Sequence, residues 1–261
     1  IFSNGNKYEG QWKDDKMTGQ GVFILKHGDR YEGSFTNGKL NGQGTFFSSR
    51  GDIYSGQYVD GKMYGKGIFT FASGNEYIGY WKDDKMDGYG TFNFLNGDIY
   101  DGQYSQGKMN GHGIYMYKNG DKYDGHWNND KKNGLGLFSY ANGDLYEGEY
   151  VDNMMTGLGK YTFKDGSYYD GEWFNNKMLG YGTYLYPNGE KYSGNWANEK
   201  RNGQGTFYYK NQDVYDGNWI NDSREGKGIL TFSNGESYEG EFKNNNLSGK
   251  GKYTFNNGDI Y

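Results

Sequence analysis

Aromatic residues and glycines alternate with polar residues in short runs along the whole chain. From Tyr8 to Trp12 every second residue is aromatic or glycine, and the run from Gly19 to Phe23 keeps the same two-residue period. Such a period places alternate side chains on opposite faces of an extended strand. Turn sequences such as Asn37-Gly38 separate the two runs and favour tight hairpin turns with positive φ. The pattern therefore predicts a series of β-hairpins.

The hairpin pattern recurs every 23 residues, without insertion or deletion. Each copy opens with Tyr-x-Gly, at Tyr8, Tyr31, Tyr54, Tyr77, Tyr100, Tyr123, Tyr146, Tyr169, Tyr192, Tyr215 and Tyr238. We number each copy from this Tyr as position 1. Residues 1–7 are then part of a preceding copy, residues 8–260 form eleven copies, and residue 261 starts another, so we expect the chain to be a fragment of a longer protein.

Glycine and aromatic residues occupy fixed positions in the repeat. Positions 3, 12 and 14 are Gly in all eleven copies, and position 5 is always aromatic. Rings also dominate positions 16 and 18. All these positions share one parity, so we expect one face on which rings lie over bare backbone. The predicted fold is all-β: an elongated, single-layer, twisted antiparallel sheet of tandem 23-residue hairpins.

Composition narrows the functional classes. Of the residues, 33% are hydrophobic and 20% are aromatic, which leaves little Leu, Ile or Val for the two-layer core of a conventional enzyme. The net charge of -5 argues against nucleic acid as a partner. The absence of Cys suits a reducing compartment, and no apolar run approaches membrane-spanning length. We therefore expect a cytoplasmic protein.

The repeat resembles a known family in its spacing of aromatic residues and glycines. The first copy carries the whole pattern in Tyr8, Glu9, Gly10, Trp12, Lys16, Gly19, Gly21 and Phe23. This pattern closely resembles the MORN repeat, the membrane occupation and recognition nexus. Departures are few: Gln212 replaces the glycine between copies, Leu230 replaces a ring, and Ile78 and Tyr80 replace residues that are usually polar.

The resemblance implies a non-enzymatic scaffold or binding module that needs no cofactor. Proteins of this kind occur in axonemal radial spokes, in basal or cytokinetic structures and at membrane junctions. The implied partner is a cytoskeletal or axonemal protein, and the implied location is the cytoskeleton or cilium. The family's usual recognition surface is the aromatic face, whose tryptophans are Trp12, Trp81, Trp127, Trp173, Trp196 and Trp219. Packing of these rings within the sheet is the competing interpretation.

Catalytic and metal chemistry find no support in the sequence. A regular array repeats the same groups, whereas an active site needs unlike groups that converge. His27, His112 and His126 have no metal-ligand spacing with carboxylates. The Asp of turns such as Asn96-Gly97-Asp98 could suggest calcium, but turn-forming chemistry explains it better.

A row of lysines gives the alternative function. Position 9 is Lys in eight copies, and the proposed lipid-contacting residues are Lys16, Lys39, Lys62, Lys85, Lys108 and Lys131. Such a row could bind phosphoinositides or other anionic lipids. Position 2 is acidic in eight copies as well, which favours a solvated row of mixed charge.

One column varies in a way that the repeat does not explain. Position 13 is polar near both ends of the chain but bulky in the middle, where Tyr89, His112, Leu135, Leu158 and Tyr181 occupy it. If positions 4 and 13 of one hairpin pair, Tyr80 lies opposite Tyr89 and extends this stripe. Exposed apolar surface usually marks an interaction site, so we predict a partner contact here. Neutral drift is the competing interpretation.

The stripe is nearly palindromic about Leu135, because Tyr89 mirrors Tyr181 and His112 mirrors Leu158. An isologous homodimer needs such self-complementarity. The partner is therefore either another protein or a second copy of the chain.

Overall fold

In a computed structural model that describes residues 1–261, every copy contributes one short and one longer strand. The chain divides into unit 1, Ile1–Lys131, and unit 2, Lys132–Tyr261. The strands of unit 1 are β1 (Lys7–Lys13), β2 (Lys16–Ile24), β3 (Arg30–Thr36), β4 (Lys39–Phe47), β5 (Ile53–Val59), β6 (Lys62–Thr70), β7 (Glu76–Lys82), β8 (Lys85–Asn93), β9 (Ile99–Ser105), β10 (Lys108–Met116) and β11 (Lys122–Asn128).

Unit 2 repeats this arrangement, and its first strand begins at the last residue of unit 1. Its strands are β12 (Lys131–Ser139), β13 (Leu145–Val151), β14 (Met154–Thr162), β15 (Tyr168–Phe174), β16 (Lys177–Leu185), β17 (Lys191–Ala197), β18 (Lys200–Tyr208), β19 (Val214–Ile220), β20 (Ser223–Thr231), β21 (Ser237–Lys243) and β22 (Asn246–Thr254).

Consecutive strands pair antiparallel within each unit, from β1 to β11 and from β12 to β22. Each unit is thus a meander in one layer. The prediction of an all-β fold built from tandem hairpins is confirmed. The structure contains no helix with the length and apolar character needed to cross a bilayer.

Every hairpin turns at positions 7 and 8, and both residues have positive φ. In the fourth copy these residues are Asp83 and Asp84, with φ of 49° and 65°, and in the second they are Asn37 and Gly38, with φ of 51° and 81°. Two successive left-handed residues define a type I′ turn, whose twist matches that of the flanking strands. The predicted positive-φ hairpin turns are therefore present.

Glycines of positions 3 and 14 form an unbroken line across the strands of each unit. Gly79 of β7, for example, faces Gly67 of β6 on one side and Gly90 of β8 on the other. A bulge follows this line in the hairpins: the backbone takes three steps from Gly79 to Lys82 but five from Gly90 to the paired Lys85. Such bulges bend a strand and leave part of its ladder unpaired.

The tyrosine at position 1 packs over the glycine line and stabilises the sheet beside the bulge. A Cβ added at Gly90 would overlap the hydroxyl end of Tyr77, so the ring lies directly against the glycine line. The Tyr77 hydroxyl donates a hydrogen bond to the carbonyl oxygen of Tyr80, at 3.0 Å, beside the bulge. The equivalent bond from position 1 to the carbonyl of position 4 occurs in all eleven copies.

The glycine of position 12 corrects one prediction. We expected all three glycine columns to share the ring face, but every position 12 glycine has positive φ, as at Gly88 (100°) and Gly19 (60°). A Cβ at Gly88 would meet the Cβ of Tyr80 at 3.1 Å, on the face opposite the rings. Alternation alone does not predict this, because the bulge reverses the direction in which this residue points.

Several connections between copies are held by the side chain at position 22, two residues before the next copy begins. The Asp98 carboxylate accepts the backbone N–H of Lys118 in the following connection at 2.8 Å, and Asp29 accepts that of Ser49 at 2.8 Å. Gln212 stands where other connections have Gly, yet its φ of 71° and its N–H bond to the Tyr209 carbonyl preserve the same turn.

We predict that Gly90→Ala destabilises the protein by about 1–3 kcal/mol, the usual cost of overpacking, because the new methyl group displaces the Tyr77 ring. Chemical unfolding followed by circular dichroism measures this loss. Gly107→Ala is the control, since its φ is 86° and nothing lies within 4 Å of the new methyl group; strain alone should cost about 1 kcal/mol.

The two substitutions should differ when Tyr77 is absent. In a Tyr77→Ala background the Gly90→Ala penalty should vanish, whereas that of Gly107→Ala should persist, because only the first depends on the ring. An unchanged Gly90→Ala penalty in this background would contradict the packing of Tyr77 over the glycine line.

Candidate partner-binding surface

Side chains of positions 2, 4, 13 and 15 lie opposite the rings, on what we name the outer face. Position 13 pairs across the sheet with position 4 of the following copy, as in Lys66 with Tyr80 and Tyr89 with Gln103. The predicted stripe lies on this face. In unit 1 it contains the exposed residues Tyr80, Tyr89 and His112, and in unit 2 the exposed residues Leu135, Leu158 and Tyr181.

The predicted pairing of Tyr80 with Tyr89 is wrong in register. Tyr80 is directly opposite Lys66 of the preceding copy, whose ammonium lies 5.5 Å from the centre of its ring. Tyr89 falls in the bulge of the same hairpin as Tyr80 and pairs with Gln103 of the next copy. The two extra bulge residues shift the register, which strand lengths alone do not show.

Tyr80 and Tyr89 nevertheless share one surface of unit 1. Both line an open depression of about 550 Å³ whose floor is the glycine line and whose wall includes the directly paired Ile68 and Ile78. Tyr89 is 59% exposed, and the other three residues are exposed as well. An apolar, aromatic surface therefore lies open on β6, β7 and β8. We name these four residues the unit 1 patch.

The stripe in unit 2 has a different setting. Leu135 is paired with Glu149, and Leu158 with Glu172, so apolar and acidic residues alternate from strand to strand. The sequence pattern identified the apolar residues of the stripe but not the acidic residues that pair with them across the strands. It also left out Ile68 of the unit 1 patch. The pairing of position 13 with position 4 of the next copy was the signal needed to find them.

The ring face is occupied by its own side chains. Tyr77 is fully buried and makes edge-to-face contacts with Trp81 of its own copy and Tyr104 of the next, both at 5.2 Å between ring centres. Four indole N–H groups donate to glycine carbonyls, as that of Trp127 does to the Gly113 carbonyl at 3.0 Å, whereas that of the buried Trp81 has no partner. Trp81, Trp127, Trp173, Trp196 and Trp219 are all buried, whereas Trp12 is 51% exposed.

These contacts give the tryptophans a packing function. Trp12 is exposed because residues 1–7 supply only the end of the preceding copy, whose position 1 tyrosine would cover it as Tyr54 covers Trp81. For the other five, the structure shows stabilisation of the sheet.

Position 10 covers the ring row at its side, usually with Met. In unit 2 an arginine takes this place: the Arg201 guanidinium lies 4.3 Å from the Trp219 ring centre, and its Nε donates to the Asp222 carboxylate at 3.1 Å. Cation–π and ion-pair contacts let this residue fill an otherwise apolar position. The sequence pattern gave no indication of it.

Carboxylates in the turn of the following copy partly neutralise the lysine row. Lys39 Nζ lies 3.3 Å from the Asp60 carboxylate, and Lys62 Nζ lies 3.1 Å from that of Asp83. Lys85 Nζ donates to the Gln106 side-chain oxygen at 2.7 Å. Exposed pairs of this kind contribute little stability, but they reduce the positive field that an anionic membrane would meet.

The histidines and acidic turns show structural uses. His112 Nε2 lies 3.2 Å from Asp124, and its ring makes an edge-to-face contact with His126 at 5.7 Å. The N–H of Ser49 and the ring of His27 hold the pKa of Asp29 at about 2. No group of three or more His, Cys, Asp or Glu residues could hold a metal ion.

Burial raises the pKa of several position 1 tyrosines. It raises the pKa of Tyr31 and of Tyr215 to about 12, and it raises the pKa of Tyr77 and Tyr100 as well. Their hydroxyls already donate to backbone carbonyls. These groups therefore serve the fold and are unsuited to proton transfer near neutral pH.

The repeats match a family model over nearly the whole chain. The model for the MORN repeat matches residues 8–30, 31–53, 54–76, 77–99, 100–122, 123–145, 146–168, 169–191, 192–214, 215–237 and 238–260. The chain belongs to the MORN repeat family. MORN repeats are generally a non-enzymatic module, and their presence suggests a protein-interaction or scaffold function. No curated protein matches this MORN chain in sequence.

Some solved structures resemble the MORN chain distantly. A point mutant of the TCP10 domain of Danio rerio CPAP is 13% identical, with a TM-score of 0.44 over 82% of this chain and 94% of that one. The Drosophila melanogaster SAS-4 TCP domain, in complex with a proline-rich motif of Ana2, is 14% identical, with a TM-score of 0.28 over 68% and 85%. Similarity this low carries no inference about partners.

We predict that the MORN chain unfolds when the pH rises above about 10, the value for tyrosine in an unfolded chain. Between pH 10 and the raised folded-state pKa, the unfolded chain releases protons that the folded chain retains, so stability falls with pH. Absorbance at 295 nm and circular dichroism should then report tyrosine ionisation and loss of the sheet in one step.

The urea-unfolded chain provides the reference titration. If the buried tyrosines ionised while the β-sheet signal persisted, the position 1 hydroxyls could not be the packed donors described above.

Proposed function

We propose that this MORN chain is a protein-binding scaffold that contacts its partner through the outer face. The unit 1 patch is the observation that supports this proposal best. Ile68, Ile78, Tyr80 and Tyr89 are exposed together, and other copies usually have polar residues at three of these four positions, 2, 4 and 13. Nothing in the packing of the sheet requires apolar side chains there, and contiguous exposed apolar surface usually marks an interaction site.

The two faces of the sheet differ in their packing, and this difference supports the outer face as the partner-binding surface. The ring face stabilises each hairpin and its neighbours, so its residues have little freedom to vary or to bind. The outer face has separate cross-strand hydrogen bonds, such as that from Gln204 to Asn218, in place of a continuous row of packed rings. Tyr residues such as Tyr89 also bring large contact area at low entropic cost, as interface anchors do.

The assembly that we propose is a cytoskeletal or axonemal one, with a cytoplasmic, cytoskeleton- or cilium-associated location. This part of the proposal rests on the resemblance to MORN proteins of radial spokes and basal structures. A homodimer through the outer face is the second form that the interaction can take.

Binding to anionic lipid is the alternative function, through Lys16, Lys39, Lys62, Lys85, Lys108 and Lys131. The pairing of Lys39 and Lys62 with turn carboxylates weighs against it, because a membrane would have to compete with these partners.

The proposal predicts that Tyr80→Ser combined with Tyr89→Ser lowers partner recovery at least about tenfold, the effect of losing 1.4 kcal/mol of binding energy. Recovery is measured by affinity capture from a lysate of the source organism, with quantitative mass spectrometry. Gln11→Ser combined with Gln20→Ser is the matched control, since these residues occupy the same two positions, 4 and 13, in the first copy and lie outside the depression.

Flotation with vesicles that contain phosphoinositides forms the second arm. Thermal unfolding should be alike in both double variants, because neither removes a ring-face contact. Equal recovery by both variants would contradict a contact at the unit 1 patch. Vesicle binding that Lys62→Ala with Lys85→Ala abolishes, without enrichment of any protein, would replace the scaffold proposal by the lipid one.

A further inference from the structure

The outer face of unit 2 carries alternating apolar and acidic strands. Positions 13 and 15 of β12 are Leu135 and Leu137, and the facing positions 4 and 2 of β13 are Glu149 and Glu147. The next two strands repeat the order, with Leu158 opposite Glu172 and Lys160 opposite Asp170. β16 then presents Tyr181. Leu135, Leu158 and Tyr181 thus form one apolar row, which we name the unit 2 rail, with carboxylates between its members.

The surroundings of the rail have an excess of negative charge. Positions 2, 4, 13 and 15 from β12 to β16 contain the acidic residues Glu147, Glu149, Asp170 and Glu172 but only one cation, Lys160. The same positions from β19 to β22 are balanced, with Asp216, Glu239 and Glu241 against Lys227, Lys250 and Lys252. The acidic character therefore belongs to this part of unit 2 and is not a property of the repeat.

At the bulge, the apolar side chains of the rail project further from the sheet than the neighbouring carboxylates. Glu172 accepts the backbone N–H of Tyr181 at 2.9 Å, and Glu149 accepts that of Leu158 at 3.4 Å. These bonds draw each carboxylate towards the backbone of the next strand. Leu158 remains 64% exposed, and Tyr181 is exposed as well. A partner would meet apolar side chains first, with negative charge on both sides of each.

The spacing of the rail suits an α-helix that crosses the strands. Its members are two strands apart, a separation of about 9.6 Å. Seven residues of an α-helix rise about 10.5 Å and return to nearly the same face. An extended segment covers about 10 Å in three residues, which brings the side chain to the wrong face.

A polyproline II segment has a similar repeat, of about 9.3 Å per turn, so spacing alone does not distinguish it from an α-helix. Polyproline recognition typically uses grooves lined by aromatic residues. Leucines fill two of the three rail positions, and leucine surfaces are typical of helix binding.

We infer that the unit 2 rail docks a basic amphipathic α-helix of about 15–18 residues, enough for three apolar residues at heptad spacing. Leu or Met side chains of the helix pack against Leu135, Leu158 and Tyr181, and its Lys or Arg residues face Glu147, Glu149, Asp170 and Glu172. This inference rests on the proposed scaffold function and specifies the partner's chemistry.

The test uses fluorescein-labelled 18-residue peptides and fluorescence anisotropy with the full chain of 261 residues. The probe peptide has Leu at heptad positions a and d and Lys at e and g. Leu158→Ser with Tyr181→Ser should weaken its binding at least about tenfold. Glu147→Gln with Asp170→Asn should weaken binding less but reduce its dependence on salt, because charge complementarity is lost.

Gln204→Ser with Lys227→Ser is the matched control, since both residues occupy position 13 on the same face of unit 2, and it should leave binding unchanged. Three results would each overturn the inference: the Leu158 and Tyr181 variant binds like the unmodified chain, a peptide with Glu at e and g binds equally well, or a peptide with a central Pro keeps its affinity. The last outcome would favour a non-helical ligand.

The capture experiment separates this inference from the broader one. If the probe peptide does not bind while the chain still recovers a protein through the unit 1 patch, only the helix inference fails. If neither surface binds, the scaffold function fails too.

Discussion

Every part of the structure depends on one contact, in which the position 1 tyrosine lies over a pair of facing glycines. In the fourth copy the Tyr77 ring covers the backbone of Gly79 and Gly90, and its hydroxyl donates to the Tyr80 carbonyl beside the bulge. Glycine alone would weaken these strands. The ring restores the lost stabilisation by burying its surface and by satisfying a carbonyl that the bulge removes from the ladder.

This contact concentrates the ring packing on one face of the sheet. Tyr77 touches Trp81 in its own copy and Tyr104 in the next, so the ring row joins neighbouring copies without a second layer. The outer face carries no such row of packed rings, so its residues can differ more from copy to copy. Neighbouring copies can carry Ile68 and Ile78 in unit 1, or Leu158 and Glu172 in unit 2, on the same backbone.

Much of the fold could be predicted from the sequence because the two-residue period, the turn residues and the 23-residue spacing are all local signals. The errors have one cause. A bulge changes both the direction of the residue within it and the register beyond it, so Gly88 was assigned to the wrong face and Tyr80 to the wrong partner. The candidate surface was predicted only in part, since the carboxylates that accompany Leu135 and Leu158 become neighbours only in the observed register.

Because the 23-residue spacing never varies, equivalent positions within each unit recur at a constant distance. A feature on the outer face can be moved along a unit only by whole copies, in steps of about 9.6 Å. Adding or removing one copy between two docking residues changes their separation by one such step while Tyr, Gly and Trp keep their packing. Distances between two outer-face sites within one unit are therefore set in discrete increments by copy number.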